Sequence, residues 1–211
     1  MSPEPSLSRP RRWTRVAGGV AVSGFLAWQS AVSFRALLEV QPASWALATF
    51  VAWAFSLMVT GVFAFLVFVL PAHRLLPDAY YRVRAPGRLR TVYRALGVGA
   101  FRRVLLATLW RDRARQSRFF DGSAADLDGL AERSRAAEFG HAVPFALLCG
   151  ASAVWVARGA VRLGLLTLAV NVLGNLYPVL LQRHHRMRIG RLRRVRSQRE
   201  RRAPPKLDRA G

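Results

Sequence analysis

Long apolar runs alternate with arginine-rich runs along this chain. The strongest run holds 26 residues without a charge between Trp45 and Leu70, and Pro42 and Pro71 flank it. A helix needs about 20 apolar residues to cross the hydrocarbon core of a bilayer, so this run predicts a transmembrane helix. Three further runs are long enough to do the same. The four predicted spans occupy residues 16–34, 45–70, 136–157 and 163–181.

The first predicted span follows a short basic stretch, as the apolar core of a signal peptide would. No convincing small-residue cleavage site follows it, and more apolar spans come later, so we interpret it as a retained helix. Residues 1–15 are rich in proline and arginine. We expect them and residues 203–211 to be disordered. Residues 16–202 then form a single membrane helical domain.

The segment between the second and third spans is polar and basic. Residues 71–135 contain 14 arginines. Within them, residues 92–110 have a helical apolar pattern interrupted by arginines, which predicts an amphipathic helix in the headgroup plane. We expect residues 126–137 to form a polar helix that continues into the third span, and residues 182–202 to form a basic C-terminal helix. The predicted fold class is therefore all-α, a polytopic membrane bundle with about four spans and a cytoplasmic amphipathic segment.

Basic residues are distributed unevenly about the predicted spans. The N-terminus, the middle loop and the C-terminus carry 4, 14 and 12 of them, whereas the two short loops carry one and two. The positive-inside rule predicts a multi-pass protein of the cell membrane with both termini in the cytoplasm. A net charge of +22 is typical of proteins that bind nucleic acid or anionic lipid headgroups. The apolar runs favour a bilayer with anionic headgroups as the partner and argue against nucleic acid.

Two ionisable residues stand at the start of the third apolar run, where such groups often mark function. Glu138 and His141 are three residues apart and therefore share a helix face. A carboxylate can fix the tautomer of an imidazole and make it a better base towards a hydroxyl nucleophile. The structural alternative is a pair that hydrogen-bonds neighbouring helices.

Metal chemistry has little support in the sequence. The zinc peptidase motif needs a second histidine beside the first, and the only cysteine, Cys149, excludes a cysteine-based zinc site. We therefore predict no metal and no cofactor. His73 and Asp78 form a second candidate pair, because they have the His-x-x-x-x-Asp spacing of the common glycerolipid acyltransferases, although two fixed residues make a weak motif.

The fourth span ends in a cluster of amides and guanidiniums. Amides inside a span either tie helices together or face a polar cavity, as Asn171 and Asn175 would. Guanidiniums can bind phosphate or carboxylate in a bidentate manner, but they also fit the ordinary basic flank of a span. The candidate binding residues of this cluster are Asn175, Gln182, Arg183, Arg186 and Arg188.

Several of these segments, in this order, resemble the glycosyl-4,4'-diaponeurosporenoate acyltransferase family. These are small membrane enzymes that add the fatty acyl chain in staphyloxanthin-type carotenoid synthesis. The resemblance extends over about Pro71–Arg194, with Ala136 where the family has an arginine. The segments that carry it are Leu76–Arg82, Phe120–Gly122, Ala137–His141, Asn175 with Pro178, and Gln182–Arg188.

The resemblance implies an acyltransferase that esterifies a hydroxyl of a lipophilic glycoside, such as a glycosyl carotenoid. The fatty acyl donor would be acyl-CoA or an acyl carrier. His141 would act as the general base and Glu138 would orient it, with His73 and Asp78 as the second choice. Asn175 and Gln182 would hydrogen-bond the sugar or the oxyanion. The donor's phosphates would be held by Arg183, Arg186 and Arg188.

Two other functions remain open from the sequence. The first is a non-enzymatic membrane scaffold whose arginine-rich cytoplasmic face binds anionic lipids, while the polar residues of the spans tie helices together. The second, a transporter, fits less well because the spans carry no charge at mid-depth to bind an ion or a substrate.

Overall fold

The chain folds into α-helices joined by short turns. The computed structural model describes residues 9–83, 85–108 and 124–202, and no strand occurs among them. A 3₁₀ turn, Ala72–Leu75, follows the second helix, and a π-helical turn, Val172–Leu176, joins the last two. The helices are α1 Arg9–Glu39, α2 Trp45–Val69, α3 Asp78–Tyr81, α4 Pro86–Ala95, α5 Val98–Thr108, α6 Ala124–Ala157, α7 Val161–Asn171 and α8 Tyr177–Arg202.

Four helical segments are long and apolar enough to cross a membrane, which confirms the predicted polytopic bundle. The fourth of these combines α7, the π turn and the first part of α8. Large apolar side chains point outward from the bundle, and Trp28, Phe50 and Phe68 each expose more than half of their surface. Such a surface suits contact with lipid tails. The four segments are Trp13–Glu39, Trp45–Val69, Leu127–Ala157 and Val161–Val195.

Helix α2 lies at the centre of the bundle and contacts α1, α6 and α7. An aromatic cluster joins α1, α2 and α6, where the Trp155 ring centroid lies 5.4 Å from that of Phe34 and 5.0 Å from that of Phe55. Helices α6 and α7 approach closely at Gly164, where an added Cβ would lie 2.8 Å from the Ser152 carbonyl oxygen. Only a residue without a side chain fits there, as is common between helices in membranes.

The two short loops lie at the same end of the bundle. Arg162, at the start of α7, donates a hydrogen bond of 2.6 Å to the carbonyl of Pro42 and stacks on the Trp45 ring. The 3₁₀ turn, α3 and the basic part of α8 gather at the opposite end. This arrangement agrees with the predicted order of spans, while the orientation of the termini stays a prediction.

The middle segment differs from its prediction. We expected one amphipathic helix over 92–110, but the chain forms α4 and α5 with a break at Gly97, whose φ is +66°. A left-handed residue of this kind ends a helix, and glycine adopts it without a steric penalty. Both helices pack on α8 through a small core of Tyr93, Val98 and Leu181.

The ends of the chain lie mostly outside the described residues. Of the two termini predicted to be disordered, residues 1–8 and 203–211 are not described, and α1 begins at Arg9. The Phe120–Gly122 segment of the family resemblance is likewise outside them. The predicted continuation of the polar helix into the third span is confirmed, because α6 runs unbroken from Ala124 to Ala157.

Candidate active site

A fully buried carboxylate joins α6 to α8. Glu138 has no exposed surface, and its Oε1 accepts a hydrogen bond of 2.8 Å from Nε of Arg183. Its Oε2 accepts a second hydrogen bond from Arg186, one turn further along α8. A buried charge is tolerated only when it is paired and hydrogen-bonded. One carboxylate between two guanidiniums therefore fixes the contact between these helices and leaves this triad with a net positive charge.

Two tyrosines of α3 cover the arginines of the triad. The guanidinium of Arg183 lies 4.9 Å from the ring centroid of Tyr80, and that of Arg186 lies 5.5 Å from Tyr81. These are cation–π distances. Burial, followed by the nearby charge of Glu138, raises the pKa of the Tyr81 phenol to about 12. The same two causes raise the pKa of Tyr80. Both phenols are therefore neutral at physiological pH.

Helix α3 is tied in place by further polar contacts. The Tyr81 hydroxyl donates to the carbonyl of His73 at 2.8 Å, and Arg135 of α6 donates to Asp78 at the same distance. His73 itself pairs with Glu132 at 2.8 Å. The second candidate pair of the sequence analysis is therefore separated, because His73 and Asp78 each bind a different residue of α6.

A chain of amide hydrogen bonds leads to His141. Asn171 Nδ2 donates to the Phe145 carbonyl at 3.0 Å, so its Oδ1 faces Asn175 and accepts from Asn175 Nδ2 at 3.0 Å. Asn175 Oδ1 then lies 3.1 Å from Nδ1 of His141 and also accepts from Thr60. The Phe145 carbonyl can only accept a hydrogen bond, so it fixes the orientation of the Asn171 amide and, through it, that of the Asn175 amide. The oxygen of Asn175 then faces His141, which puts the proton of the neutral imidazole on Nδ1. Neutral His141 then carries its lone pair on Nε2.

The π-helical turn helps to bring Asn175 to His141. It widens the helix by one residue at Val172–Leu176, just before Pro178. Proline has no N–H to donate to the carbonyl of Gly174, four residues earlier, and this carbonyl lies beside the His141 ring. Isolated π turns within longer helices are frequent at functional sites.

The partners of Glu138 and His141 differ from the expected ones. We expected Glu138 to orient His141, but the carboxylate binds Arg183 and Arg186, and the amide of Asn175 binds the imidazole. The reason is electrostatic, because a buried carboxylate is stabilised more by two guanidiniums than by a neutral ring. The two residues nevertheless lie one turn apart on α6, so the triad and the amide chain are neighbours.

The remaining predicted binding residues lie in different surroundings. The backbone carbonyl of Gln182 accepts a hydrogen bond from Ser134 at 3.2 Å, which adds a second link between α6 and α8. Arg188 is exposed and lines a separate cavity near α4. Among the residues that the structure describes, no three His, Cys, Asp or Glu side chains cluster as metal ligands do.

The described residues form two cavities at other places in the bundle. Neither cavity is lined by Glu138, His141, Asn175 or Arg183. An apolar cavity of about 540 Å³ between α1, α2 and α6 is lined by residues that include Phe34, Phe55 and Phe63. Phe63 also contacts Phe139, the neighbour of Glu138, at a ring distance of 6.3 Å. A basic cavity of about 320 Å³ lies between α4 and α8.

Some residues of the site were missed in the sequence. Thr60 lies in the middle of an apolar run and gave no signal, because hydroxyls in a span commonly bond within their own helix. Tyr80 and Tyr81 were visible as an aromatic pair after the second span, which is typical of residues at the membrane surface. Their position beside Pro77 and Asp78, within the family resemblance, was the available signal.

The fold and this site define an integral membrane helical bundle with a buried polar site at one end of its spans. The family model described as glycosyl-4,4'-diaponeurosporenoate acyltransferase (CrtO) matches residues 77–195, which is more than half of the chain. The chain belongs to this family, and the matched region contains every residue of the site except His73 and Thr60. Comparison with curated proteins and with solved structures gives no match.

Proposed function

We propose that this chain transfers a fatty acyl group from an activated donor to a hydroxyl of a lipophilic glycoside. Family membership supports an acyl donor and a glycosylated acceptor. The observation that carries the proposal is the chain of hydrogen bonds from the Phe145 carbonyl through Asn171 and Asn175 to His141. It holds a histidine in the tautomer of a general base at the polar end of a membrane span.

The proposed reaction is a direct acyl transfer. Nε2 of His141 takes the proton of the acceptor hydroxyl, and the hydroxyl oxygen attacks the carbonyl carbon of the acyl thioester. The C–S bond of the tetrahedral intermediate then breaks, and His141 returns the proton to the leaving thiolate. Both substrates are consumed one to one, giving an ester and a free thiol, and no other reactant is needed.

The other residues have supporting roles in this proposal. Asn175 uses both ends of its amide within the protein, so it positions His141 rather than binding the sugar. Glu138 holds Arg183 and Arg186 in place. Arg183 keeps a third of its side chain exposed and has more N–H groups than Glu138 engages, so it is available to a developing oxyanion. Gln182 lies beside it at the same end and would hydrogen-bond the acceptor.

The apolar surroundings suit a lipid acceptor. The spans expose large apolar side chains to the bilayer, and the apolar cavity ends at Phe63, close to Phe139 and the triad. A lipophilic tail in the membrane and a charged donor on the basic side would meet at this end. With both termini in the cytoplasm, as the arginine distribution predicts, the reaction takes place at the inner leaflet of the cell membrane.

A membrane scaffold that binds anionic lipids is the second candidate. The observation that favours it is the tight packing of the polar residues. Glu138 is fully buried between Arg183 and Arg186, and Asn171 and Asn175 have their partners within the bundle. In that function these groups only join helices, and the arginines of α8 bind headgroups.

Lipid extracts of cells distinguish the two candidates. Cells that produce the chain together with a glycosylated carotenoid are compared by mass spectrometry with cells that lack it. Under the proposal, a fatty ester of the glycoside appears only with the chain. His141→Ala lowers the ester by about 100- to 10,000-fold, the range for loss of a general base, and His73→Gln retains it. Undiminished ester with His141→Ala at equal protein level refutes the role of His141.

A further inference from the structure

One face of α8 turns away from Glu138 and towards α4. His184, Met187, Arg188 and Arg191 follow each other at intervals of three, one and three residues, so they share this face. Together with Arg90 of α4 they line the basic cavity of about 320 Å³. Tyr93 of α4 packs beside one of them, with its ring centroid 6.5 Å from that of His184.

The charges in this cavity are not balanced by acidic residues in the described part of the chain. Arg90, Arg188 and Arg191 all carry a positive charge, and none of them pairs with a carboxylate among the described residues. The ion pairs of that part of the chain use other arginines. Three like charges around one cavity repel each other, so an anion that enters the cavity is attracted to it.

A buried polar atom also lacks a partner at this place. Nδ1 of His184 is shielded from solvent, and no group in the described part of the chain hydrogen-bonds to it. Buried polar atoms in native structures are nearly always satisfied, so a ligand or a water molecule that reaches this nitrogen would supply its missing partner. Nδ1–H of this imidazole can donate to an oxygen.

We propose that this cavity binds a phosphate group. Guanidiniums bind phosphate with paired N–H donors, and the three arginines with His184 provide several such donors around a space large enough for a phosphate group. The inference deepens the proposed function and rests on it, because the phosphates of an acyl-CoA donor would lie here. Arg183 and Arg186, by contrast, bind Glu138 and do not line this cavity. The same chemistry would accept the phosphate of an anionic lipid headgroup.

Direct binding of coenzyme A tests the donor as the source of the phosphate. The full-length protein in phosphatidylcholine nanodiscs is titrated with coenzyme A by calorimetry. Arg188→Gln and Arg191→Gln each weaken binding by about tenfold, because hydrogen bonds between charged groups are the strong ones. The matched control is Arg74→Gln, which removes an equal charge from an exposed residue at the same end of the bundle and leaves the affinity unchanged.

A second titration tests the lipid as the source. The native protein and the double variant Arg188→Gln/Arg191→Gln are purified with an equal mixture of phosphatidylglycerol and phosphatidylcholine, and bound lipid is measured by mass spectrometry. In one outcome, the native protein enriches phosphatidylglycerol, the double variant loses this enrichment, and the native protein binds no coenzyme A. That outcome supports the phosphate site with a lipid headgroup as its ligand. If the double variant equals Arg74→Gln with both probes, the proposal is wrong.

The binding experiment is independent of acyl transfer. His141→Ala should bind coenzyme A as the native protein does, since His141 does not line this cavity. If the native protein binds the probe through Arg188 and Arg191 but forms no ester, the proposed function fails and the phosphate site stands. If the protein forms the ester but neither Arg188→Gln nor Arg191→Gln weakens binding, the proposed function stands and the phosphate site fails.

Discussion

Replacing Glu138 by glutamine should destabilise the protein more than any single change at an exposed charge. Gln has nearly the same shape but no charge, so Arg183 and Arg186 lose the carboxylate that they share. Arg186 has 8% of its side chain exposed and Glu138 has none. Removal of one partner from a buried ion pair costs about 3–5 kcal/mol, because the other charge stays buried without compensation.

The structure provides a matched control for this change. Asp128 pairs with Arg193 on the same two helices, but their side chains are 80% and 48% exposed. A surface pair of this kind contributes about 0–1 kcal/mol, so Asp128→Asn should have little effect. For a chain of this size, the loss expected for Glu138→Gln corresponds to a fall in Tm of roughly 6–20 °C.

Thermal unfolding in detergent, followed by circular dichroism, measures both variants under the same conditions. A further change, Arg186→Met, should cost less in the Glu138→Gln background than in the native one, because the guanidinium has then already lost its partner. Equal Tm values for Glu138→Gln and Asp128→Asn would show that the carboxylate is not the buried link between α6 and α8. The reasoning about the triad would then be wrong.

Two further predictions concern packing and titration. Gly164→Ala should lower the free energy of unfolding by about 1–3 kcal/mol, because the added methyl group overpacks against α6. Gly150→Ala is the control and should not destabilise the protein, because nothing lies within 4 Å of its added Cβ. Thermal unfolding of both variants measures the difference. Tyr81 should form its phenolate near pH 12 rather than 10, measured by ultraviolet difference spectroscopy against Tyr81→Phe. Since the folded state keeps this proton to a higher pH than the unfolded chain does, the stability of the protein should fall as pH rises from about 10 towards 12. A titration of Tyr81 near pH 10 would contradict its burial.

The spans could be predicted from the sequence because a bilayer imposes a length and a composition on each helix. The 26-residue apolar run at 45–70 became α2, Trp45–Val69, almost to the residue. The middle segment was less predictable. Its amphipathic pattern extends across Gly97, and only the positive φ of that residue, which depends on how α4 and α5 pack on α8, divides it into two helices.

The members of the site were easier to predict than their partners. The spacing of Glu138 and His141 places both on one face of α6, and the composition of 175–188 indicates a polar cluster. Which cluster residue reaches which partner depends on the register between α6 and α8 and on the π turn, and neither follows from spacing along the chain. The hydroxyl of Thr60 joins the site only because α2 packs beside the π turn.

The most direct test of the account is the rate of ester formation by the purified protein. Native protein and His141→Ala, in nanodiscs of the same lipid, receive a fatty acyl-CoA and a glycosylated carotenoid, and the ester is quantified by mass spectrometry over time. We expect ester formation by the native protein and a rate about 100- to 10,000-fold lower for the folded variant. Equal rates for the two proteins would contradict it.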